Sequence, residues 1–181
     1  MGFMDHDIES VLFTADEINA RVTELGAEIT RDYQGRQPHL VTIVKGSIPF
    51  LADLMRHIDL PLTVDLLGVS SYCGTQSSGE ARLTKDLDES IEGRHVIVVE
   101  DVIDTGLTLS YVLRNLRQRA PASLRVVTML DKPARREGKV DALCRWLGVR
   151  TSARACSSVL VSCMRHNSSS GEGVSGVLVL V

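Results

Sequence analysis

The sequence predicts an α/β fold, in which a twisted, mostly parallel sheet is flanked by helices. Short runs of apolar, often β-branched residues alternate along the chain with segments whose apolar residues recur at helical spacing. Three predicted strands end in turns that contain lysine, glycine or acidic residues, at 45–47, 100–106 and 131–132. Because the carboxyl ends of parallel strands meet at one edge of a sheet, we expect these turns to form the functional site.

The composition is that of one ordinary globular domain. At 181 residues the chain is long enough for a real core, and its net charge of −3 gives no basic excess for nucleic-acid binding. No apolar run is long enough to span a membrane, and the N-terminus is too acidic for an export signal. The 4 cysteines show neither metal-ligand nor disulfide-scaffold spacing. We therefore expect a cytoplasmic protein with reduced thiols and without nucleic-acid or membrane partners.

Local signals predict the first elements. Residues 14–17 form a capping box, and the apolar residues that follow predict a helix over 15–33. A buried strand is predicted over 39–44, and Pro49 sits at the start of a second helix. The turn between them, 45–47, contains a cation and a glycine that suit an anion, although a plain surface turn fits so short a motif at least as well.

A long polar loop separates the next two strands. One strand is predicted over 62–69 and its returning partner over 83–88, with a loop rich in Gly, Ser and Thr between them at 70–79. Loops of this length without periodicity are functional or disordered. We expect a functional loop, and a solvated hairpin is the alternative.

The central stretch of the chain is 96–108. Its first four residues predict a buried strand that ends in Glu100 and Asp101, and an Asp-Thr-Gly-x-Thr turn at 104–108 then opens a helix. Free N–H groups at a helix start favour a phosphate, while carboxylates suit sugar hydroxyls or a metal. The stretch therefore indicates a site for a phosphorylated ribose. An ordinary strand with an acidic turn is the alternative.

A further strand is predicted over 124–130, and Asp131 and Lys132 follow it. A lone lysine is usually a solvated surface residue. This one falls at the same predicted sheet edge as Lys45 and Asp104, which favours a role in the site.

The stretch 96–108 closely resembles the ribose-phosphate signature of type I phosphoribosyltransferases, and its surroundings resemble the hypoxanthine-guanine branch over about residues 8–141. The resemblance implies the type I phosphoribosyltransferase fold and a Mg²⁺-dependent reaction of purine salvage. In that reaction phosphoribose passes from 5-phosphoribosyl 1-diphosphate to hypoxanthine or guanine, giving IMP or GMP and diphosphate. The resemblance also implies a homodimer or homotetramer.

Roles within the central stretch follow from the same resemblance. Glu100 and Asp101 would bind the ribose hydroxyls and, indirectly, the metal ion. Asp104 would be the catalytic base. The residues that would hold the 5′-phosphate are Thr105, Gly106, Leu107 and Thr108.

Three other segments receive roles in this way. Ser71 and Tyr72 would open a mobile lid that keeps water from the reactive sugar. Lys132 would contact the exocyclic oxygen of the purine, because an ammonium has donors only and suits a 6-oxopurine rather than the 6-amino group of adenine. The family often has a cis peptide bond before the lysine of its pyrophosphate loop. That loop would comprise Lys45, Gly46 and Ser47.

The C-terminal tail departs from the family. Residues 151–181 contain eight serines and one acid but no aromatic residue or proline, and the family's base-stacking aromatic stretch is missing. We hypothesise that the reading frame shifts after about Asp141. The domain prediction is a phosphoribosyltransferase core at 1–142 and an atypical C-terminal hood at 143–181.

Two alternatives to an active enzyme stay open at this point. Some transcriptional regulators share this fold and use the ribose-diphosphate site as a sensor, although they add a basic surface or a DNA-binding domain. The other alternative is a chain whose catalysis is impaired by its tail. Preference among hypoxanthine, guanine and xanthine does not follow from the sequence.

Overall fold

The computed structural model describes residues 13–71, 81–133, 137, 144–150, 159–161 and 177–179. Helices and strands alternate through most of this part of the chain. In chain order they are α1 (Ala15–Asp32), β1 (Pro38–Val44), α2 (Ile48–Arg56), β2 (Thr63–Ser71), β3 (Ala81–Lys85), β4 (His95–Ile103), α3 (Leu107–Arg117), β5 (Ser123–Asp131), β6 (Cys144–Arg150), β7 (Val159–Val161) and β8 (Val177–Val179).

The main sheet has six strands in the order β3-β2-β1-β4-β5-β6. All neighbouring strands in it are parallel except β2 and β3, which are antiparallel. From β1 the chain adds β2 and β3 on one side, and from β4 it adds β5 and β6 on the other. The topological switch point therefore lies between β1 and β4, which is where ligands bind in open α/β sheets. The predicted α/β fold is confirmed.

The start of α1 is set by the capping box that the sequence predicts at residues 14–17. The Thr14 hydroxyl accepts a hydrogen bond from the Glu17 backbone N–H, and the Glu17 carboxylate accepts one from the Thr14 N–H at 2.8 Å. This reciprocal capping box satisfies two amides at the helix start. The helix runs to Asp32, one residue short of the predicted end.

Alternation along the central strand divides the core into two layers. Ile97 and Val99 pack with the buried faces of α1 and α2, whereas Val96 and Val98 pack with the buried face of α3. Successive strand residues point to opposite faces, so β4 is covered on both sides. A strand buried in this way can present polar groups only where it ends.

The sheet continues beyond residue 142, where the core was predicted to end. Strand β6 pairs in parallel with β5, and the Arg21 Nε donates a hydrogen bond to the Gly148 carbonyl at 3.2 Å. β7 and β8 form a separate parallel pair. The boundary at 142/143 and the frame shift stay predictions. Within the described residues, no helix combines the length and the apolar character needed to cross a membrane.

Candidate active site

Three of the predicted site segments meet at one edge of the sheet. β1, β4 and β5 are neighbouring parallel strands that end at Val44, Ile103 and Asp131. The turns after them therefore open on the same side, and the crevice between the first two is the switch point of the sheet.

Across this crevice the turn after β1 touches the acidic end of β4. A Cβ atom built on Gly46 would lie 2.6 Å from Asp101 Oδ2, a distance that real Cβ contacts essentially never show. A side chain at this position would have to displace the Asp101 carboxylate, so glycine lets the carboxylate lie against the turn. The preceding Val44–Lys45 peptide bond is cis, and the Lys45 side chain is exposed.

Ser47 contributes to this turn in a way that its sequence does not reveal. The residue is buried, and its hydroxyl donates to the Ile43 carbonyl at 2.5 Å. Its own carbonyl accepts from the Leu51 N–H at 2.9 Å and so starts the hydrogen bonding of α2. The Ser47 hydroxyl and carbonyl are therefore both used in hydrogen bonds at the start of α2.

Glu100 and Asp101 lie on β4 just after the point where this strand stops pairing with β1. The pairing of these two strands ends at Thr42 and Val99, and the buried Thr42 hydroxyl donates to the Val99 carbonyl at 3.1 Å. β4 stays paired with β5 as far as Ile103, so the two acids belong to the strand rather than to the loop after it. One side of this strand is thus open to the crevice.

The two carboxylates are poised for a partner. Glu100 Oε2 is buried and has no hydrogen-bond partner among the described residues. Burial, together with the charge of Asp101, raises the pKa of Glu100 well above its ordinary value. Burial also raises the pKa of Asp101, and the Val102 N–H, which donates to Oδ1 at 2.9 Å, partly offsets this effect. Hydroxyl donors or a cation would stabilise the charged forms of both groups.

The donor set fits a magnesium ion that arrives with its substrate. Mg²⁺ keeps several waters and commonly uses one or two carboxylates together with substrate phosphates. Glu100, whose Oε2 has no hydrogen-bond partner among the described residues, and the neighbouring Asp101 provide two such carboxylates. Where the structure describes the chain, no three His, Cys, Asp or Glu side chains form a closed metal cage.

The turn after β4 leads directly into α3. Gly106 is the N-cap of this helix with φ of +77°, and the first helical bond runs from the Ser110 N–H to its carbonyl at 2.8 Å. The Leu107 N–H faces the Thr105 hydroxyl at 3.4 Å. Because Gly106 has no side chain to cap the helix, the N–H groups of the first turn other than that of Leu107, which donates to the Thr105 hydroxyl, are available to an anion. The side chain of Leu107 is exposed, and that of Thr108 is half-buried.

Asp104 and Lys132 flank this turn. Asp104 is half-buried at the end of β4, and Lys132 follows β5. The Lys132 side chain is only 5% exposed, and its N–H donates to the Ile103 carbonyl at 3.0 Å. This burial excludes the alternative that Lys132 is an ordinary solvated surface lysine.

The lid prediction concerns residues at the edge of the described chain. Ser71 is the last residue of β2, and its backbone pairs with Ala81 of β3, so the strands on either side of the loop are joined. Tyr72 and the remainder of the loop to residue 80 lie outside the described residues.

One contact of the site was missed by the sequence. The Glu137 N–H donates to the Thr105 carbonyl at 2.8 Å. No side-chain pattern predicts a hydrogen bond between two backbone groups so far apart along the chain.

Comparison with known proteins assigns the family. The phosphoribosyl transferase domain model matches residues 12–146. The chain belongs to the phosphoribosyltransferase family. It is 49% identical to the hypoxanthine-guanine phosphoribosyltransferase of Bacillus subtilis over 140 residues, covering 77% of this chain and 78% of that protein. The enzyme of the same name from Streptococcus mutans is 46% identical over 140 residues, again covering 77% and 78%.

Solved structures give the same assignment. A hypoxanthine phosphoribosyltransferase from Staphylococcus aureus superposes with a TM-score of 0.78 at 41% identity, covering 83% of this chain and 81% of that one. A hypoxanthine-guanine phosphoribosyltransferase from Bacillus anthracis gives 0.72 at 39% identity, covering 80% and 83%. The phosphoribosyltransferase fold and the hypoxanthine-guanine branch predicted from the sequence are confirmed.

Proposed function

We propose that this chain transfers phosphoribose from 5-phosphoribosyl 1-diphosphate to a 6-oxopurine, hypoxanthine or guanine, in purine salvage. The observation that carries this proposal is the contact of the 45–47 turn with the acid pair at the switch point, beside the uncapped start of α3. That arrangement offers sites for two phosphate groups on either side of a site for a sugar. The identity to hypoxanthine-guanine phosphoribosyltransferases supports the choice of base.

The ribose would lie over the acid pair. Its hydroxyls would donate hydrogen bonds to Glu100 and Asp101 and give the buried Glu100 Oε2 the donor that it needs. The 5′-phosphate would accept hydrogen bonds from the backbone of Gly106 to Thr108 and from the threonine hydroxyls. These contacts hold the sugar in line for attack, which is the main requirement of such a transfer.

The leaving diphosphate would face the turn after β1. Lys45 and the N–H groups of Gly46 and Ser47 would neutralise the charge that develops on it. Glu100 and Asp101 would hold Mg²⁺ indirectly, and this ion, when bound, supplies additional positive charge to the diphosphate. Ser71 and Tyr72 would cover the diphosphate during the reaction.

The purine would lie between Asp104 and Lys132. The C1′–O bond to diphosphate breaks, a bond from purine N9 to C1′ forms, and Asp104 takes the proton that the imidazole ring loses. The ammonium of Lys132 would donate to the 6-oxo group, which adenine lacks. We further propose that the enzyme works in the cytoplasm as a homodimer or homotetramer.

Turnover with a panel of bases tests this function. The full chain, with Mg²⁺ and 5-phosphoribosyl 1-diphosphate, should form nucleotide from hypoxanthine or guanine but not from adenine. Binding of the ribose diphosphate without turnover would instead favour the sensor or the impaired chain, and activity on adenine alone would contradict the choice of base.

The atypical tail has its own test. Translating the gene in its other two frames after about Asp141 should give a stretch close to Gly-x-Gly-Leu-Asp if the frame has shifted. Its absence from both frames would reject the frame shift and leave the tail as a genuine feature of the chain.

A further inference from the structure

One buried hydroxyl lies on the strand that borders the acid pair. Thr42 is the single hydroxyl-bearing residue of β1, and its side chain is 0% exposed. A buried hydroxyl costs free energy unless it makes a hydrogen bond, and valine would fill nearly the same volume without that cost. The Thr42 hydroxyl offsets the cost by donating to the Val99 carbonyl at 3.1 Å. What threonine adds at this position is therefore this hydrogen bond.

The hydrogen bond is made where β1 and β4 part. Thr42 lies opposite Val99, and the pairing of the two strands ends there. The Val99 carbonyl belongs to the same planar peptide group as the Glu100 N–H. Fixing this carbonyl therefore fixes the plane from which the Glu100 backbone continues. On the other side Glu100 stays paired with Thr128 of β5, so its backbone is held from both neighbouring strands.

The Glu100 side chain depends on this backbone for its position. Its Oε2 is buried and has no hydrogen-bond partner among the described residues. The hydroxyl of Thr128, at the paired position of β5, donates to the Leu130 carbonyl at 3.1 Å instead. Binding sites hold their groups within about 0.5 Å of the productive geometry through supporting contacts. For Glu100 the supporting contact from β1 is the hydrogen bond between Thr42 and Val99.

We propose that Thr42 is a positioning residue of the ribose site, whose hydroxyl holds the Val99–Glu100 peptide so that the Glu100 carboxylate meets a ribose hydroxyl. This role rests on the proposed function, because it takes Glu100 and Asp101 as the contacts of the ribose. Thr42 is buried and acts through the backbone of β4. Loss of its hydroxyl weakens recognition of the sugar hydroxyls and leaves phosphate binding at the start of α3 unchanged.

Two sugar phosphates measure the recognition of a hydroxyl directly. 2-Deoxyribose 5-phosphate carries the same phosphate as ribose 5-phosphate but lacks the 2-hydroxyl. Calorimetry in the presence of Mg²⁺ gives the dissociation constant of each, and the ratio of the two constants reports the contribution of that hydroxyl. We expect the wild type to prefer ribose 5-phosphate about tenfold, as one hydrogen bond to a charged group gives. The measurement needs no turnover.

Two substitutions at Thr42 separate the hydroxyl from the shape of the side chain. Thr42→Val keeps the shape and removes the donor, so the preference should fall to about twofold. Thr42→Ser keeps the hydroxyl and should keep the wild-type preference.

Thr30→Val is the matched control. The half-buried Thr30 hydroxyl also donates to a backbone carbonyl, that of Gly26 at 2.8 Å, and it accepts from the Asp59 N–H at 3.0 Å. These bonds join α1 to the loop before β2 rather than to the crevice. The variant should lower the melting temperature without changing the preference between the two sugars.

The outcomes distinguish the role of Thr42 from the function on which it rests. A wild type that binds neither sugar, or binds both equally, contradicts the proposed ribose site itself. A wild-type preference in Thr42→Val, or a reduced one in Thr42→Ser, overturns the role of Thr42 alone. A purely structural role would weaken the binding of both sugars together and leave the preference unchanged. If Thr42→Val does not fold, Thr42→Ala also lacks the donor, and a wild-type preference in that variant overturns the proposal.

Discussion

Gly46 and Asp101 meet across the switch point of the sheet, where a methyl group on Gly46 would stand 2.6 Å from Asp101 Oδ2. A shift of the Asp101 carboxylate away from Gly46 would disturb the hydrogen bond that its other oxygen accepts from the Val102 N–H. The Gly46→Ala variant should therefore displace the carboxylate from the ribose. We expect kcat/KM for hypoxanthine to fall about 100-fold, as misplacements near 1 Å do in active sites.

Gly35→Ala is the matched control for this substitution. Gly35 has φ of +74° and open space around it, so alanine strains the backbone there without touching the site. It should lower the melting temperature and leave kcat/KM unchanged. A Gly46→Ala enzyme with wild-type kcat/KM would show that the Gly46–Asp101 contact has no part in catalysis.

Asp104→Asn tests the catalytic base. Asparagine keeps the size of the side chain but cannot take a proton, so kcat should fall by about 100- to 10,000-fold with a smaller change in KM. Steady-state kinetics with hypoxanthine provides the measurement, and Asp59→Asn, exposed in the loop before β2, is the control. Full turnover by Asp104→Asn would refute this role.

Lys132→Ala tests base recognition. Loss of a buried charged donor to the 6-oxo group should lower kcat/KM for hypoxanthine and guanine about 10- to 100-fold. The residual activity should discriminate less against adenine. Lys85→Ala on β3, which contacts Asp65 and Asp88 instead, should keep the base preference. Equal discrimination in Lys132→Ala and the wild type would remove Lys132 from the purine site.

Asp65 offers a test of stability away from the site. Burial of its carboxylate raises the pKa of Asp65. Hydrogen bonds from the N–H groups of Asp88, Leu66 and Glu89, together with the Lys85 ammonium, lower it by more. The pKa of Asp65 therefore lies below its ordinary value of 3.8. A lowered folded-state pKa stabilises the protein above pH 3.8, and this contribution is lost as the pH falls through the folded-state pKa. Asp65→Asn should therefore cost about 2 kcal/mol of unfolding free energy near pH 7.

Urea denaturation at about pH 7 and about pH 3 measures this effect, and the difference between Asp65→Asn and the wild type should shrink at the lower pH. Asp88→Asn is the control, because its side chain is 76% exposed and should contribute little. A difference that is independent of pH would mean that the charge of Asp65 does not stabilise the fold.

Local signals predicted most of the fold. The capping box at Thr14 fixes the start of α1, and the alternation of strands with helices gives the parallel sheet. The acid pair and Gly106 were recognisable because their chemistry lies in a short contiguous motif. Such features need no knowledge of what packs against them.

Long-range contacts could not be predicted in this way. The approach of Gly46 to Asp101 depends on the order of β1 and β4 in the sheet, and the hydrogen bond from Glu137 to Thr105 joins two backbone groups. The use of the Ser47 hydroxyl inside the turn depends on where the Ile43 carbonyl points. Each is set by tertiary geometry rather than by residue type.

A crystal structure of the full chain with Mg²⁺ and 5-phosphoribosyl 1-diphosphate tests the central claim most directly. We predict that the 5′-phosphate lies on the N–H groups of residues 106–108, with the ribose hydroxyls bonded to Glu100 and Asp101 and the diphosphate against 45–47. A ligand bound away from the crevice between β1 and β4, or a ribose that leaves both acids without contact, would contradict the account.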